Sequence, residues 1–273
     1  MSIFESSNPK PIIGMVHIAA LPGSPRQQLS VAQITELALR DLAIYQEAGL
    51  DSIMLENMHD IPYLNRRAPE ETLAAIAIIA ARLRSETKLP IGLQILAGAN
   101  KAALAIAHCA ELDYIRAEGF VFGHLADEGY MDSDAGELLR YRHNLGAERI
   151  EIFTDIKKKH SSHALTADVS LAETAKAAEF FLSDGLIVTG SSTGEPCSPA
   201  DLICVRKASG LPLLMGSGIT MDNLAEFWSL ADAFIVGSYF KEDGIWSRPI
   251  STSRVKSFMQ QVNNLRQSSG EST

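Results

Sequence analysis

Cysteine is scarce and unpaired in this chain. Cys109, Cys197 and Cys204 form an odd set, far apart, with no CxxC. That pattern speaks against a disulfide frame or a structural zinc site and reads as reduced thiols in a cytoplasmic protein. Long apolar runs are missing too: nothing approaches the ~18 consecutive apolar residues that a membrane span needs. Met1 to Pro11 has no basic patch leading into an apolar run, so no secretory signal is expected there. Positive charge is in deficit, with 24 Lys plus Arg against 33 Asp plus Glu and a net charge of −9. Such a chain is a poor general binder of nucleic acid or anionic lipid, although a local basic pocket stays open. No GxGxxG follows an apolar run and no GxxxxGK[ST] occurs, which removes the usual dinucleotide and NTP loops.

What is present is a globular composition. Of 273 residues, 46% are apolar and 21% charged. These proportions exclude disordered, collagen-like and fibrous classes. Short Ile/Val/Leu-rich runs alternate with longer segments of helical period. Strands are expected over Pro11–Ile18, Asp51–Asn57, Pro90–Leu96 and Tyr114–Phe120, and then over Ile150–Lys157, Gly185–Gly190, Pro212–Ile219 and Ala233–Phe240. The helices that follow them are expected near Ser30–Ala48, Glu70–Glu86, Asn100–Ala110 and Asp134–Leu145. Four more are expected near Ser170–Leu182, Pro199–Ala208, Met221–Ser229 and Ser251–Leu265. A long loop separates the fourth strand from its helix. Eight strand–helix units of about 30 residues each are the arithmetic of an α/β, single-domain (β/α)8 TIM-like barrel. A short lead (1–10) precedes it, and a polar tail (267–273) is expected to fray. Gly49 suits a left-handed helix C-cap, and Thr220 suits the N-cap of the helix after strand seven.

Ligands of such barrels bind at the C-terminal strand ends, so those ends are the place to look for chemistry. In order they carry His17; Glu56 with Asn57; Gln94; Arg116 with Glu118; Asp155 with Lys157; Thr189-Gly190; Gly216-Ser217-Gly218; and Gly237-Ser238. Polar groups in an otherwise apolar interior are costly unless paired or solvated, so their accumulation marks a candidate site. Gly190, Gly216, Ser217, Gly218, Gly237 and Ser238 are the candidate phosphate cradle, aided by the dipole of the helix near Thr220; the alternative is that these glycines only make tight turns. Arg116/Glu118 and Asp155/Lys157 are spaced i, i+2 and share a strand face. Facing inward they supply acids, a base and a cation for proton transfer; alternatively they are an ion-pair lattice closing the mouth. His17 is either an acid–base group or a hydrogen-bond partner of a carboxylate.

Glu56, Gln94, Glu118 and Asp155 are hard oxygen donors, candidates for Mg²⁺ or Mn²⁺, and their spacing is not that of a metal motif. Lys157-Lys158-Lys159-His160 with His163 is either a loop that steers an anion inward or a solvated basic run. Lys157 is also the candidate for a Schiff-base lysine. Ser191-Ser192-Thr193-Gly194 reads as a loop able to close over a ligand. The apolar helix Leu73–Leu83 is rich enough either to pack on a second copy of the chain or to be buried on its own barrel.

These strand ends also carry a resemblance. Gly14-Met15-Val16-His17 with Leu21-Pro22-Gly23-Ser24-Pro25 resembles the opening of the BtpA (BtpA/SgcQ) family. Further matches are Glu118-Gly119-Phe120 with Gly129, Gly136-Glu137-Leu138-Leu139-Arg140-Tyr141-Arg142, and Asp155-Ile156-Lys157 with His160. They continue through Val188-Thr189-Gly190 with Thr193-Gly194, Gly216-Ser217-Gly218 with Asn223, Val236-Gly237-Ser238 with Lys241, Asp243 and Gly244, and Arg254-Val255. The family has one lysine before the histidine after strand five. The three lysines here leave the register open, and a proline and an arginine typical of the next loop are absent from Ser161–Ser170. The segment Leu55–Asp60 is only loosely family-like.

The resemblance implies a barrel in the style of the ribulose-phosphate-binding barrels and no settled reaction. Cyanobacterial members are linked to photosystem I accumulation, and others sit near carbohydrate genes. The expectation is therefore an enzyme of carbohydrate metabolism on a small phosphorylated metabolite, sugar phosphate or nucleotide-related, of isomerase, epimerase or lyase (aldol-cleaving) type. Glu118 and Asp155 would be its acid–base groups, and Arg116 or Lys157 would stabilise charge. The rival is a non-enzymatic accessory or assembly factor that uses the outer surface of the barrel.

Overall fold

The computed structural model describes residues 2–5, 8–190 and 194–270. The chain opens with β1 (Ile12–His17), α1 (Val31–Ala48), β2 (Ser52–Glu56), α2 (Glu70–Glu86), β3 (Ile91–Gln94), α3 (Asn100–Cys109) and β4 (Tyr114–Ala117). Next come β5 (His124–Ala126), β6 (Gly129–Met131), α4 (Ala135–Asn144), β7 (Glu151–Asp155), β8 (Ser161–Ser162) and α5 (Leu171–Phe180). It ends with β9 (Gly185–Val188), α6 (Pro199–Ala208), β10 (Leu213–Met215), α7 (Leu224–Phe227), β11 (Ala233–Val236) and α8 (Thr252–Gly270). Eight parallel strands close into a barrel in the order β1-β2-β3-β4-β7-β9-β10-β11, with β11 returning to β1. The expected (β/α)8 architecture is therefore the observed one.

The outer face of each strand packs under the helices in one apolar cluster, and a second cluster fills the interior. That second cluster contains Ile13, Met15, Met54, Tyr114, Phe153, Ile187, Leu214, Ala233 and Ile235. Strand parity sets everything above it. His17, Glu56, Arg116 and Asp155 each lie two residues past an interior apolar residue (Met15, Met54, Tyr114, Phe153), so their side chains point to the same inner face. Gly92 and Gly185 make room for the two interior rings, since a Cβ would strike Tyr114 at the first and Phe153 at the second. The lead residues are part of this core: Ile3 is buried with the interior cluster and Phe4 meets Phe153 edge-on at 5.9 Å.

Four expectations need correcting. The expected strands run on too far, because β7 stops at Asp155, β10 at Met215 and β11 at Val236. The helix expected over Met221–Ser229 is a four-residue turn, Leu224–Phe227, whose N-cap position is Asn223 and not Thr220; the Thr220 N–H donates to Asn223 Oδ1 at 2.9 Å. Four residues give no dipole worth invoking at a phosphate. The last helix, α8, runs to Gly270, past the expected end at Leu265. The long loop after β4 is structured: β5 pairs antiparallel with β6 and β8, a small sheet beside the barrel mouth.

Gly49 has φ 77° at the C-cap of α1. That left-handed conformation is the one its position after the helix requires. In α2 the apolar positions Ala75, Ile76, Ile79, Ala80 and Leu83 are buried against the chain's own barrel, and Ile78 is exposed. Ser191, Ser192 and Thr193 of the expected closing loop lie outside the described residues. Among the described residues no helix is long and apolar enough to cross a membrane.

Candidate functional site

A cavity of about 560 Å³ opens at the C-terminal ends of the barrel strands. Its floor is Met15 and Ile235 of the interior core. One wall is built of ionisable and amide side chains: His17, Glu56, Gln94, Arg116, Glu118, Lys158 and Lys159. The facing wall is built around backbone and small groups: Gly216, Ser217, Gly218, Gly237, Ser238 and Tyr239, with Arg254 beside them. Met58, Ile61, Pro62, Tyr63 and Leu96 add an apolar side, and Asp127 and Glu128 reach in from the turn between β5 and β6.

The charged wall is held by paired contacts. Arg116 grips Asp155 through Nε and Nη2, the latter 2.9 Å from Oδ1. Both residues are buried, and Arg116 lies between Asp155 and the cavity: Arg116 lines it and Asp155 does not. Asp155 therefore orients Arg116, and of this pair it is Arg116 that the cavity exposes. Lys158 Nζ lies 3.2 Å from Glu118 Oε2, while Gln94 Nε2 donates to Glu118 Oε1 at 3.2 Å. The backbone at Glu118 is fixed by Asn100, which accepts the Glu118 N–H and donates to its carbonyl, and Asn100 is held by Asp134, itself paired with Arg66. Burial pushes the Asp134 carboxyl up to about 6 in spite of the Arg66 charge.

His17 illustrates how partners choose a tautomer. Its Nδ1 lies 3.2 Å from the Trp246 carbonyl. A carbonyl can only accept, so Nδ1 carries the hydrogen. Nε2 then presents its lone pair toward Glu56 Oε2, 3.5 Å away. Burial, reinforced by the Lys241 charge, pulls His17 down to about 3, so it is a neutral imidazole at physiological pH. Burial also raises the Glu56 carboxyl, against the lowering charges of Arg116 and Lys159.

The lysine expected at the site is not the one found there. The strand ends at Asp155, and Lys157 takes φ 48°, which breaks the i, i+2 parity. Its Nζ donates to the Thr166 carbonyl at 3.3 Å, away from the cavity. Lys158 and Lys159 enter instead. Lys158 is tied to Glu118, whereas the Lys159 ammonium has no hydrogen-bond or ion-pair partner among the described residues.

The backbone wall is narrower than the sequence pattern implied. Gly190 lies outside the cavity, and a Cβ there would meet the Glu195 carbonyl. The Gly216 N–H is used within the barrel, donating to Val188 O at 2.8 Å. Ser217 Oγ donates to Glu195 O at 2.9 Å and accepts the Gly190 N–H at 3.1 Å, so it fastens a loop. Gly218 has φ 72° and sits against the Pro196 backbone. Only a glycine fits such a place without strain. Gly237 and Ser238 remain open to the cavity, and the Ser238 hydroxyl has no partner among the described residues. Arg254, from the first turn of α8, is held by its Nε bond to Tyr239 O at 2.6 Å and lies over the Tyr239 ring at 4.4 Å. Arg254 was legible only as part of a family-like pair; its place at the mouth follows from α8 packing on α1 and on the Ser238–Phe240 turn after β11.

The metal candidates are not assembled as a metal site. Asp155 is taken by Arg116, both Glu118 oxygens are engaged, and Glu56 faces His17. Among the described residues no group of three His, Cys, Asp or Glu is placed to hold a metal. The buried Gln94 Oε1 has no partner among them and is a free acceptor at the cavity.

Comparison with known proteins places this architecture. The chain is similar to a Caenorhabditis elegans protein described as mitochondrial and uncharacterized, 45% identical over 97% of this chain and 96% of the other. It is also similar to the photosystem I biogenesis protein BtpA of Synechocystis, 32% identical over 94% of this chain and 88% of the other. Among solved structures, phosphoribosyl anthranilate isomerase from Thermus thermophilus superposes with a TM-score of 0.58 at 14% identity, over 93% of this chain and 99% of that one. At that identity the likeness speaks for the fold alone. The BtpA family model matches residues 8–264, and the chain belongs to the BtpA family.

Proposed function

We propose that this BtpA-family barrel is an enzyme that binds a small phosphorylated metabolite, a sugar phosphate or a nucleotide-related compound, and acts on it by proton transfer. The observation that carries the reading is the division of one cavity into two chemically different walls. On the backbone wall, Gly237, Ser238 and Arg254 offer close approach, a free hydroxyl and a fixed cation, the equipment for a phosphate after the last two strands. Gly216, Ser217 and Gly218 shape that wall without donating their principal groups. The acids Asp127 and Glu128 at the β5–β6 turn disfavour a dianion near them.

On the other wall, Glu118 and the Glu56–His17 pair are the proton-transfer groups, and Arg116 stabilises negative charge on a reacting oxygen. Gln94 Oε1 accepts from a substrate hydroxyl. Lys158 takes over the charge-stabilising role expected of Lys157. This equipment suits an isomerase, epimerase or aldol-cleaving lyase. Mg²⁺ enters only as a variable of the test.

The test is a thermal-shift screen against phosphorylated sugars and nucleotides, with and without Mg²⁺. A ligand at 100 times its Kd adds about 2.7 kcal/mol, which moves Tm by roughly 2–4 °C per kcal/mol for a chain of this size. The expected result is a shift that needs the phosphate and is lost in Gly237→Val. The isosteric Glu118→Gln variant is expected to bind the ligand so found without turning it over.

One observation favours a second reading: the Synechocystis relative is a photosystem I biogenesis protein. In that reading the barrel is an accessory factor whose outer surface meets a protein partner. A flat thermal response across the panel selects it.

A further inference from the structure

Three lysines sit half-buried or buried around the barrel mouth, and two of them are spoken for. Lys158 Nζ pairs with Glu118 at 3.2 Å, and Lys241 Nζ pairs with Asp41 at 3.6 Å. Lys159 alone of the three lines the cavity with no hydrogen bond or ion pair to its ammonium among the described residues. The charges of Arg116, Glu56, Asp155 and Glu118 all bear on it, with Arg116 the strongest of them. A lysine needs a counter-ion if it is to stay charged in a partly dry cavity, and this one has none in contact. Removal from water and a neighbouring guanidinium are the two devices that free a lysine amine for nucleophilic attack. Burial first, and then the Arg116 charge, pull its pKa down against the opposing charges of Glu56, Asp155 and Glu118.

We propose that Lys159 is the nucleophile of this site and condenses with the aldehyde or ketone of an open-chain phosphorylated ligand to form an imine. The inference rests on the phosphorylated-ligand reading above and names the carbonyl as the group acted upon. In the first step the Nζ lone pair forms the C–N bond as the carbonyl π pair moves to oxygen. One proton then passes from nitrogen to that oxygen through the Glu118 carboxylate, giving a carbinolamine. In the second step the Glu56 carboxylic acid protonates the hydroxyl, the C–O bond breaks, and water leaves. The nitrogen lone pair closes the C=N bond, leaving a protonated imine and the Glu56 carboxylate. Amine, carbonyl and one proton become iminium and water, and no oxidant or reductant takes part. The iminium is the electron sink that isomerisation or aldol cleavage at the next carbon needs, with Arg116 close by to hold the substrate oxygens.

The probe is pyridoxal 5′-phosphate, an aldehyde that carries a phosphate, compared with pyridoxal, which lacks it. The whole protein is treated with each at neutral pH, reduced with cyanoborohydride, weighed intact and peptide-mapped, while Tm is followed before reduction. Each unit by which burial lowers an amine pKa multiplies its free-base fraction at neutral pH about tenfold, so Lys159 is expected to label well ahead of exposed lysines such as Lys207. The expected result is one adduct at Lys159, formed at least about tenfold more readily with the phosphorylated aldehyde, as one well-made phosphate contact provides. Its rate should rise with pH at a lower midpoint than labelling of the surface lysines. Lys159→Arg keeps the charge, and should still shift in Tm with the probe but take no adduct.

A Tm shift with no adduct at Lys159, or with labelling that follows general lysine exposure, overturns the nucleophile and leaves the phosphate site standing. Equal labelling of Lys159 by both aldehydes keeps the nucleophile and overturns the phosphate reading. Absence of both shift and selective adduct overturns both. If Lys159→Arg fails to fold, Lys159→Gln, and competition of the wild-type labelling by inorganic phosphate, carry the same decision.

Discussion

The two walls of the cavity reach similar positions above the same barrel by opposite means. On the side of β1 to β7 the work falls to long side chains, each fixed by another: Arg116 by Asp155, Glu118 by Gln94 and Lys158, His17 by Trp246 O and Glu56. On the side of β9 to β11 the wall is mostly main chain, shaped by the absence of side chains at Gly216, Gly218 and Gly237. The first wall can change charge and the second cannot. The first is lost when one partner of a pair is removed, because the other is left buried and unpaired. The second is lost when a methyl group occupies space meant for backbone or ligand.

The comparison can be broken at its strongest point first. Asp155→Asn leaves the buried Arg116 without its counter-ion and is expected to cost about 3–5 kcal/mol of stability, read from urea unfolding. The double variant Arg116→Met/Asp155→Leu should be less destabilised than that single one; equal or greater loss would show the pair is not the source. Within the glycine wall, Gly218→Ala must hold φ 72° against the Pro196 backbone. That variant is expected to lose about 1–3 kcal/mol. At Gly237 an added Cβ would find its nearest neighbour at 3.4 Å. Gly237→Ala should therefore stay within about 0.5 kcal/mol of the parent. If the two glycines cost the same, the wall is not shaped as described.

Acid separates the walls more gently. His17 has an unfolded value of 6.5 and a folded one of about 3, so the unfolded chain binds the extra proton between them. Its stabilising contribution is complete above the unfolded value and is lost as pH falls through that window, at up to about 1.4 kcal/mol per pH unit. His124, lowered to about 4 mainly by burial, acts with the same sign. Asp134, raised to about 6, acts with the opposite sign, gaining as pH falls toward the ordinary carboxylate range. The His17→Asn variant should therefore show a flatter loss of urea midpoint on acidification than the parent, while Gly237→Ala should follow the parent. The smallest expected effect is on ligand affinity alone. Ser238→Ala should leave Tm unchanged without ligand and weaken phosphate-dependent binding by about 1 kcal/mol, the value of one hydrogen bond.

Much of the site was legible in the strand pattern. Parity carried His17, Glu56, Gln94, Arg116 and Glu118 correctly to the cavity, because within a strand alternate residues share a face. It failed at Lys157, two residues beyond the last strand residue, where a left-handed backbone re-aims the next two lysines. It also failed for Asp155, which shares the inner face but sits behind Arg116. Gly190 and Ser217 read as ligand groups because glycine and serine after a strand carry the same signal whether they face a loop or a pocket. Arg66, Asn100 and Asp134 gave no signal at all, since they act only by meeting one another across three separate loops and helix ends.

By itself the sequence determined the periodic parts of this protein. Eight apolar runs, eight helical segments and the side-chain parity within them are local properties, and they set both the barrel and the polarity of its mouth. The tertiary structure alone decided which of those polar groups face a ligand and which face each other. That choice depends on where each strand stops, how the chain turns afterwards and what the neighbouring strand end offers. Lys158 and Lys159, adjacent in sequence and identical in chemistry, show the limit: one finds a carboxylate and is held against it, the other finds no such partner among the described residues.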